Sequence, residues 1–194
     1  ENSFLTKFNS IGQRIWTTYI SNGSNSAFVN DFTMNINNEC YLVGATAGGQ
    51  GSTLSNFIAT PGSHKENCSF LANEGFILKF DNDGIRIWGT FFGGENNDTI
   101  NTISLDSSEN LIIGGGTNST TQIATINSFM PSNPSNNLSL FNESGFFAKF
   151  SSNGVQLYGS YFNKSIEYST TDSLNNIYFS GQYNETSNYP NITT

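Results

Sequence analysis

The sequence predicts an all-β protein, a partial β-propeller of four-stranded antiparallel blades with a long insert between the second and third strands of each blade. A β-hairpin pattern occurs three times along the 194 residues, at intervals of 72 and 70 residues. Self-similarity at a fixed period is typical of repeat architectures. The composition agrees, because 14% of the residues are aromatic and 11% are charged. Such a chain is not expected to be disordered, and its polar residues are expected in turns and loops.

The hairpin pattern is clearest at residues 76–94. Residues 76–80 and 86–92 are rich in aromatic and β-branched side chains, and Asp81-Asn82-Asp83-Gly84 between them is a typical short turn. The other two copies have turns that end at Gly12 and Gly154, and they pair residues 4–8 with 15–19 and residues 146–150 with 157–161.

A second pair of strand patterns follows each hairpin. A polar turn separates its two members, and a glycine closes the second one, at Gly44, Gly115 and Gly181. Each repeat therefore carries four short strands. The three pairs are residues 28–34 with 40–44, 100–105 with 111–117, and 168–174 with 177–181.

The remaining segments are inserts, at residues 47–75 and 118–145. Without them the repeat shrinks to 43 and 42 residues, close to the roughly 40–45 residues of a four-stranded propeller blade. Residues 57–64 align with 122–129, and 191–194 begin a third copy, so we expect this part of each insert to pack in the same way. The single predicted domain, 1–194, then comprises an outer half-blade (1–22), a blade (28–94), a second blade (98–162) and an inner half-blade (166–194).

Charge and hydropathy exclude some partners. The net charge is −8 and the pI is about 4.4, which argues against nucleic acid or an anionic membrane as a partner. No run of about 18 apolar residues occurs, so no membrane-spanning segment is expected. Cys40 and Cys68 are either two unrelated thiols or a disulfide, the latter if the protein is exported.

Several residues invite a chemical interpretation. Lys7, Lys79 and Lys149 recur at one strand position and form either an anion-binding ring or, as we expect, buried stems whose ammonium groups meet carboxylates or turn carbonyls. The turn at Asp81 could hold a surface Ca²⁺, but the other copies lack its carboxylates, which favours a plain turn. His64 aligns with Phe129, which favours a packing role.

Carboxylates could supply the acid and base of a glycosidase. Glu95, Asp98, Glu143 and Glu167 occupy unequal positions in different repeats, so no convergent pocket is predicted. We therefore expect no catalytic, metal or cofactor site in this chain. Asn-x-Ser/Thr sequons are frequent, for example at Asn22, Asn97, Asn118, Asn142 and Asn184, and they matter only if the source glycosylates its proteins.

The chain resembles the SBBP, or β-propeller repeat, family of exported bacterial surface proteins. The repeat pattern of that family is matched, in order along the chain, by residues 76–80, Gly84, residues 88–94, 103–110 and 111–115. The third repeat departs, with Tyr158 in place of Trp88 and no Gly-Gly after its hairpin. The resemblance implies a propeller fold, a secreted or cell-surface location and type IX secretion.

The function expected is non-enzymatic: a repeat scaffold that mediates adhesion or binds protein or glycan. The alternatives are an ancillary propeller segment of an extracellular polysaccharide-degrading enzyme, or a structural assembly subunit. Propellers close with about 4–8 blades, and open blade faces would expose apolar surface. The expected partners are therefore further blades of the same polypeptide or other copies of the chain.

Overall fold

A computed structural model describes residues 3–20, 26–47, 57–68, 72–134 and 144–182. These residues contain twelve β-strands, which match the predicted strands one for one. Their bounds are β1 Phe4–Phe8, β2 Arg14–Tyr19, β3 Ala27–Met34, β4 Cys40–Thr46, β5 Glu74–Phe80, β6 Arg86–Phe92, β7 Asp98–Leu105, β8 Leu111–Thr117, β9 Ser144–Phe150, β10 Gln156–Phe162, β11 Tyr168–Thr171 and β12 Ile177–Ser180.

The strands form four antiparallel sheets. Two are complete, with the orders β3-β4-β5-β6 and β7-β8-β9-β10, and two are half-sheets, β1-β2 and β11-β12. The all-β class and the four-stranded antiparallel units are thus confirmed. The described strands form no closed barrel, and their arrangement as a propeller is taken up under "Proposed function".

Both inserts lie between the second and third strands, as predicted, but each is two residues shorter. They span 47–73 and 118–143, because the pairs Thr46↔Glu74 and Thr117↔Ser144 extend the sheets. In the last half-sheet β11 ends at Thr171, and residues 172–176 form the turn that the sequence predicts there, so the strand pattern that reaches Leu174 runs three residues too far.

The short turns are stabilised by their own side chains. The Asp81 carboxylate accepts hydrogen bonds from the backbone N–H groups of Asp83 and Ile85, at 2.9 and 2.8 Å. Gly84 has a φ of 77°, and its equivalents Gly12 and Gly154 have 80° and 81°, which is the positive φ that the turn requires. The turn interpretation of this segment is therefore confirmed.

Successive sheets stack through their first strands. Strand β7 contacts β3 of the preceding sheet and β11 of the following one. The Asn30 side chain donates to the Ile100 carbonyl at 2.8 Å, and the equivalent Asn101 donates to the Ile166 carbonyl at 3.0 Å. The same polar contact thus recurs at two sheet boundaries, which shows that the repeat governs packing as well as strand order.

Two apolar layers separate the sheets because β4 and β5 are apolar on both faces. Tyr41, Val43 and Ile77 point into the layer shared with β7–β10, and Leu42 and Leu78 point into the layer shared with β1–β2. Burying a large apolar side chain contributes about 1.5–3 kcal/mol. Stability therefore comes mainly from contacts between sheets.

The inserts cover the outer edges of the complete sheets. The Thr60 N–H donates to the Gly89 carbonyl of β6 at 2.9 Å, and the Thr125 N–H donates to the Gly159 carbonyl of β10 at the same distance. The two inserts therefore pack in the same way, as their alignment predicted, and they pair with backbone groups that would otherwise form an open strand edge. The aligned residues 191–194 lie outside the described residues.

Candidate ligand-binding cleft

A cleft with a volume of about 410 Å³ lies between the two complete sheets. One wall is the first insert, at residues 60–64, together with Trp88 and Thr90 of β6. The other wall is the end of the next hairpin turn, at residues 153–156. The volume is within the range of small-ligand sites, about 300–1,000 Å³.

Trp88 sets the width of the cleft. Its indole N–H donates to the Ser152 carbonyl at 3.2 Å. Trp16 makes the same contact one sheet earlier, with the Asn82 carbonyl at 3.0 Å. Gly154 lies against the Trp88 ring, where an added Cβ would be 3.4 Å from ring atoms. This tryptophan therefore ties each hairpin to the next turn and presents part of its ring in the cleft.

His64 lies beside Trp88 and packs on aromatic rings. Its ring centroid is 6.2 Å from that of Phe92, nearly parallel, and 5.3 Å from that of Phe150, edge to face. Burial among these groups lowers the pKa of His64, and the charge of Lys65 adds to the effect, so the imidazole is neutral at neutral pH. These contacts agree with the packing role favoured by its alignment with Phe129.

Polar groups in the cleft can bind a neutral ligand. Ser63 Oγ is buried and has no hydrogen-bond partner in the part of the chain that the structure describes. Asn153 is exposed on the opposite wall, and Gln156 is half-buried beside it. An indole face flanked by hydroxyl and amide groups suits a sugar ring or a peptide, which combine apolar faces with hydrogen-bonding groups.

A second cleft, of about 310 Å³, lies at the equivalent place between β2 and the turn after β5. Thr18 replaces Thr90 there, and residues 84–86 replace 154–156. No loop equivalent to 60–64 lines it, so the first cleft is the more enclosed. The sequence did not predict either cleft. The recurrent Trp at the end of a hairpin, with an insert before it, is the signal that could have found the first.

The recurrent lysines are held by acids or by turn oxygens, as we expected. Lys79 Nζ lies 2.8 Å from Glu39, and Lys149 Nζ lies 2.7 Å from Asp106. Lys7 donates to the Asn82 carbonyl at 3.2 Å. Each complete sheet thus pairs the lysine of its third strand with a carboxylate in the turn between its first and second strands.

The two turns place that carboxylate differently. In the first, the acid is the fifth residue, Glu39, and the Asn35 amide donates to it at 2.7 Å. In the second, the acid is the first residue, Asp106, and the Asn110 amide donates to it at 2.9 Å. Burial opposes ionisation of Asp106, but the hydrogen bonds from Lys149 and Asn110 outweigh it and lower its pKa to about 2.

The candidate catalytic carboxylates do not line either of these two clefts. Glu95 accepts hydrogen bonds from the N–H and hydroxyl groups of Thr120 and Thr121. Burial acts to raise its pKa, but these bonds outweigh it and lower the pKa to about 2. Glu167 is half-buried at the start of the last half-sheet, and Glu143 lies outside the described residues.

Asp98 is buried in a polar network. Its carboxylate accepts hydrogen bonds from the Gly94 N–H at 2.7 Å and the Ser119 hydroxyl at 2.8 Å, and a further one from Thr117. Burial raises the pKa of Asp98 to about 7, and the nearby Glu74 adds to the rise. The network ties β7 to β8 and to the start of the second insert, and we assign it a structural role.

The remaining predicted sites are dispersed. No disulfide joins Cys40, which is buried, to Cys68, which is half-buried, so the disulfide alternative is not realised. Within the described ranges no three His, Cys, Asp or Glu side chains gather as metal ligands. Asn97 and Asn118 lie in adjacent loops, where the Asn118 N–H donates to the Asn97 carbonyl. Of the sequons named above, Asn22, Asn142 and Asn184 fall outside the described residues.

Neither a family model nor a curated protein matches this chain. In the portion that the structure describes, no helix has the length and apolar character needed to cross a membrane.

Proposed function

We propose that this protein is a non-catalytic repeat scaffold, part of a secreted or bacterial cell-surface protein, and that it binds a glycan or protein ligand in the cleft between its complete sheets. The supporting observation is the cleft of about 410 Å³ between the sheets, with the Trp88 ring on one wall and the exposed Asn153 side chain on the other.

The scaffold part of the proposal is a β-propeller arrangement. Four-stranded antiparallel sheets, contacts between their first strands and recurrent polar bonds at the sheet boundaries support it. The resemblance to the SBBP family supports the exported location. Loops and turns held by a rigid scaffold are where ligand-binding residues usually lie, and both cleft walls are of this kind.

The test is a glycan-array and peptide-array screen with the intact chain, followed by calorimetric titration of any ligand found. Trp88→Ala is expected to weaken binding roughly tenfold or more, since a buried aromatic contact is worth about 1.4 kcal/mol or more. Trp16→Ala is the matched control, because Trp16 makes the same contact to the next turn without lining the enclosed cleft.

Equal loss of binding in the two variants would refute the cleft as the binding site. An affinity that changes in neither variant would refute it as well. A screen without ligands would refute the binding role. The alternative, an ancillary segment of an extracellular polysaccharide-degrading enzyme, predicts binding of the polysaccharide that the enzyme degrades.

A further inference from the structure

A lysine of the first insert lies in contact with a carboxylate that is closed off from water. Lys65 Nζ is 2.6 Å from Oε1 of Glu74, the first residue of β5. The Glu74 side chain is fully buried, and the Lys65 side chain is 20% exposed. The carboxyl carbon lies one C–O bond of about 1.2 Å beyond that oxygen, so it is at most about 3.8 Å from Nζ. This is close to the separation of about 3–3.5 Å from which groups react.

The backbone holds the lysine in this position. Its ammonium group also donates to the Gly93 carbonyl at 2.8 Å and to the Gly94 carbonyl at 3.1 Å. An ammonium group has three N–H bonds, and all of them are used here. The backbone N–H of Lys65 donates to the Thr90 hydroxyl at 2.9 Å, and its carbonyl accepts from the Phe91 N–H at 3.0 Å. Nζ is therefore fixed against the carboxyl group.

A second buried carboxyl group, that of Asp98, lies beside the first. A Cβ placed at Gly93 would be within 2.5 Å of both Asp98 Oδ2 and Glu74 Oε1. The two oxygens therefore face the same small space, which only a residue without a side chain leaves open. Burial raises the pKa of Asp98 to about 7, and the charge of Glu74 adds to the rise. Near neutral pH this carboxyl group therefore retains a proton in a large share of the molecules.

The second complete sheet lacks both members of the ion pair. Met130 stands in the place of Lys65 on the covered strand edge, and its carbonyl accepts the equivalent backbone hydrogen bond. Ser144 stands in the place of Glu74 at the first residue of the third strand. The second insert still packs on its strand as the first does. Covering the strand edge therefore does not require the ion pair, which suggests a separate role for it.

We propose that Lys65 and Glu74 react to form an amide cross-link between the first insert and β5, with Asp98 as the proton-transfer group. Asp98 passes a proton from the ammonium group to a Glu74 oxygen, which leaves a neutral amine facing a neutral carboxyl group. The nitrogen attacks the carboxyl carbon, so that a C–N bond forms and one C–O bond breaks. The oxygen leaves as water with a second proton from the nitrogen. The sum is ammonium plus carboxylate giving amide plus water.

The surroundings favour this condensation in two ways. Burial of an ion pair carries a large desolvation cost, and the neutral amide removes both charges from the interior. Reacting groups that are held in place behave as if at an effective concentration of about 10⁵–10⁸ M. The product ties the loop that lines one wall of the cleft to a buried strand of the same sheet.

The first test is the mass of the intact chain, followed by peptide mapping. The expected mass is lower by one water molecule than the mass calculated from the sequence. Digestion should release one branched peptide that joins residues 65 and 74. Lys149 and Asp106, whose charged atoms are 2.7 Å apart, form the control ion pair within the same molecule. They should remain unlinked, because Asp106 has a pKa lowered to about 2 and stays ionised.

The second test separates the nucleophile from the proton-transfer group. Lys65→Arg keeps the charge but removes the nucleophile, because a guanidinium group does not lose its proton, so this variant should have the full calculated mass. Asp98→Asn should link about a hundredfold more slowly or less, since positioned acid–base groups typically contribute 10²–10⁴-fold. The linked fraction is followed by mass against time after synthesis. Asp83→Asn, at an exposed turn position, should link at the unsubstituted rate.

An intact chain with the full calculated mass would overturn the proposal, because an ordinary ion pair gives that result. A loss of water that maps to any other position, with residues 65 and 74 in separate peptides, would overturn it as well. Linking of Asp98→Asn at the unsubstituted rate would overturn the part assigned to Asp98.

Discussion

Asp98 shows how the repeat accommodates a carboxyl group away from water. It is fully buried at the start of β7, and its oxygens accept bonds from one backbone N–H and two hydroxyl groups. These donors do not compensate fully for the lost hydration, so burial keeps its pKa near 7. The group therefore folds most favourably in its protonated form.

The pH dependence of stability follows from this shift. Between its ordinary pKa near 4 and its folded pKa near 7, the native state retains a proton that the unfolded state has lost, so the free energy of unfolding falls as the pH rises. The fall is on the order of 4 kcal/mol, at about 1.4 kcal/mol per pKa unit. Asp98→Asn should flatten it, as measured by urea unfolding at a series of pH values.

Glu95 and Asp106 have the opposite effect on the free energy of unfolding, which falls at acidic pH because of them. Their pKa values are lowered to about 2, so the stability they contribute is present above pH 4–5 and lost toward pH 2.

Asp83→Asn, at an exposed turn position, is the control for the Asp98 variant. A slope between pH 4 and 7 that survives in Asp98→Asn would contradict the assignment.

At the scale of elements, each insert covers the outer edge of a complete sheet and also connects the second strand of that sheet to the third. Residues 60–65 form backbone hydrogen bonds to β6 through Gly89 and Phe91, and residues 125–130 do the same to β10 through Gly159 and Tyr161. An open sheet edge invites pairing with other chains. The inserts therefore shield the outer strands of the two complete sheets, β6 and β10, from such pairing.

Gly89→Ala should detach the first insert from its strand. The new methyl group would overlap the Ile58 carbonyl oxygen, and we expect a loss of about 1–3 kcal/mol in the free energy of unfolding. Gly159→Ala should have a similar effect, because Ile123 approaches it in the same way. Thr17→Ala, at the equivalent uncovered position, should cost less than about 1 kcal/mol. Equal costs at positions 17 and 89, measured by urea unfolding, would contradict this role of the insert.

The strands and turns could be predicted from sequence because each depends on neighbouring residues. Alternating apolar residues defined the strands, and Gly84 or its equivalents marked the turns. The insert bounds were two residues too long because pairing with the preceding strand, and not local propensity, decides where β5 and β9 begin. The recurrent Trp marks one wall of the cleft in the sequence, but the opposite wall could not be predicted, because Trp88 and Ser152 meet across 64 residues of sequence.

At the scale of the whole molecule, the four stacked sheets contribute unequally to the free energy of unfolding. The two complete sheets share one apolar layer, and β1–β2 covers the other face of the first. β4, β5 and β8 are buried throughout, whereas β11 and β12 are exposed over much of their length. In repeat proteins stability is approximately a sum of units and their interfaces, so the half-sheets should open first.

Hydrogen exchange should show this order. The backbone N–H groups of β1, β2, β11 and β12 should exchange through local opening, and those of β4, β5, β8 and β9 only through larger opening events. Uniform protection across all twelve strands would contradict the description of the molecule as a stack with weak ends.

The turn at residues 35–39 begins with an amide and ends with an acid, whereas the turn at residues 106–110 has the reverse order. This reversal affects how further copies of the unit can be found in other sequences. What the lysine requires is one negative charge within reach, and either end of the five-residue turn can supply it. A search that demands Asp at a fixed column would overlook the first copy. A profile that scores the two columns jointly, as one acid plus one amide followed by a lysine on the third strand, would recover both.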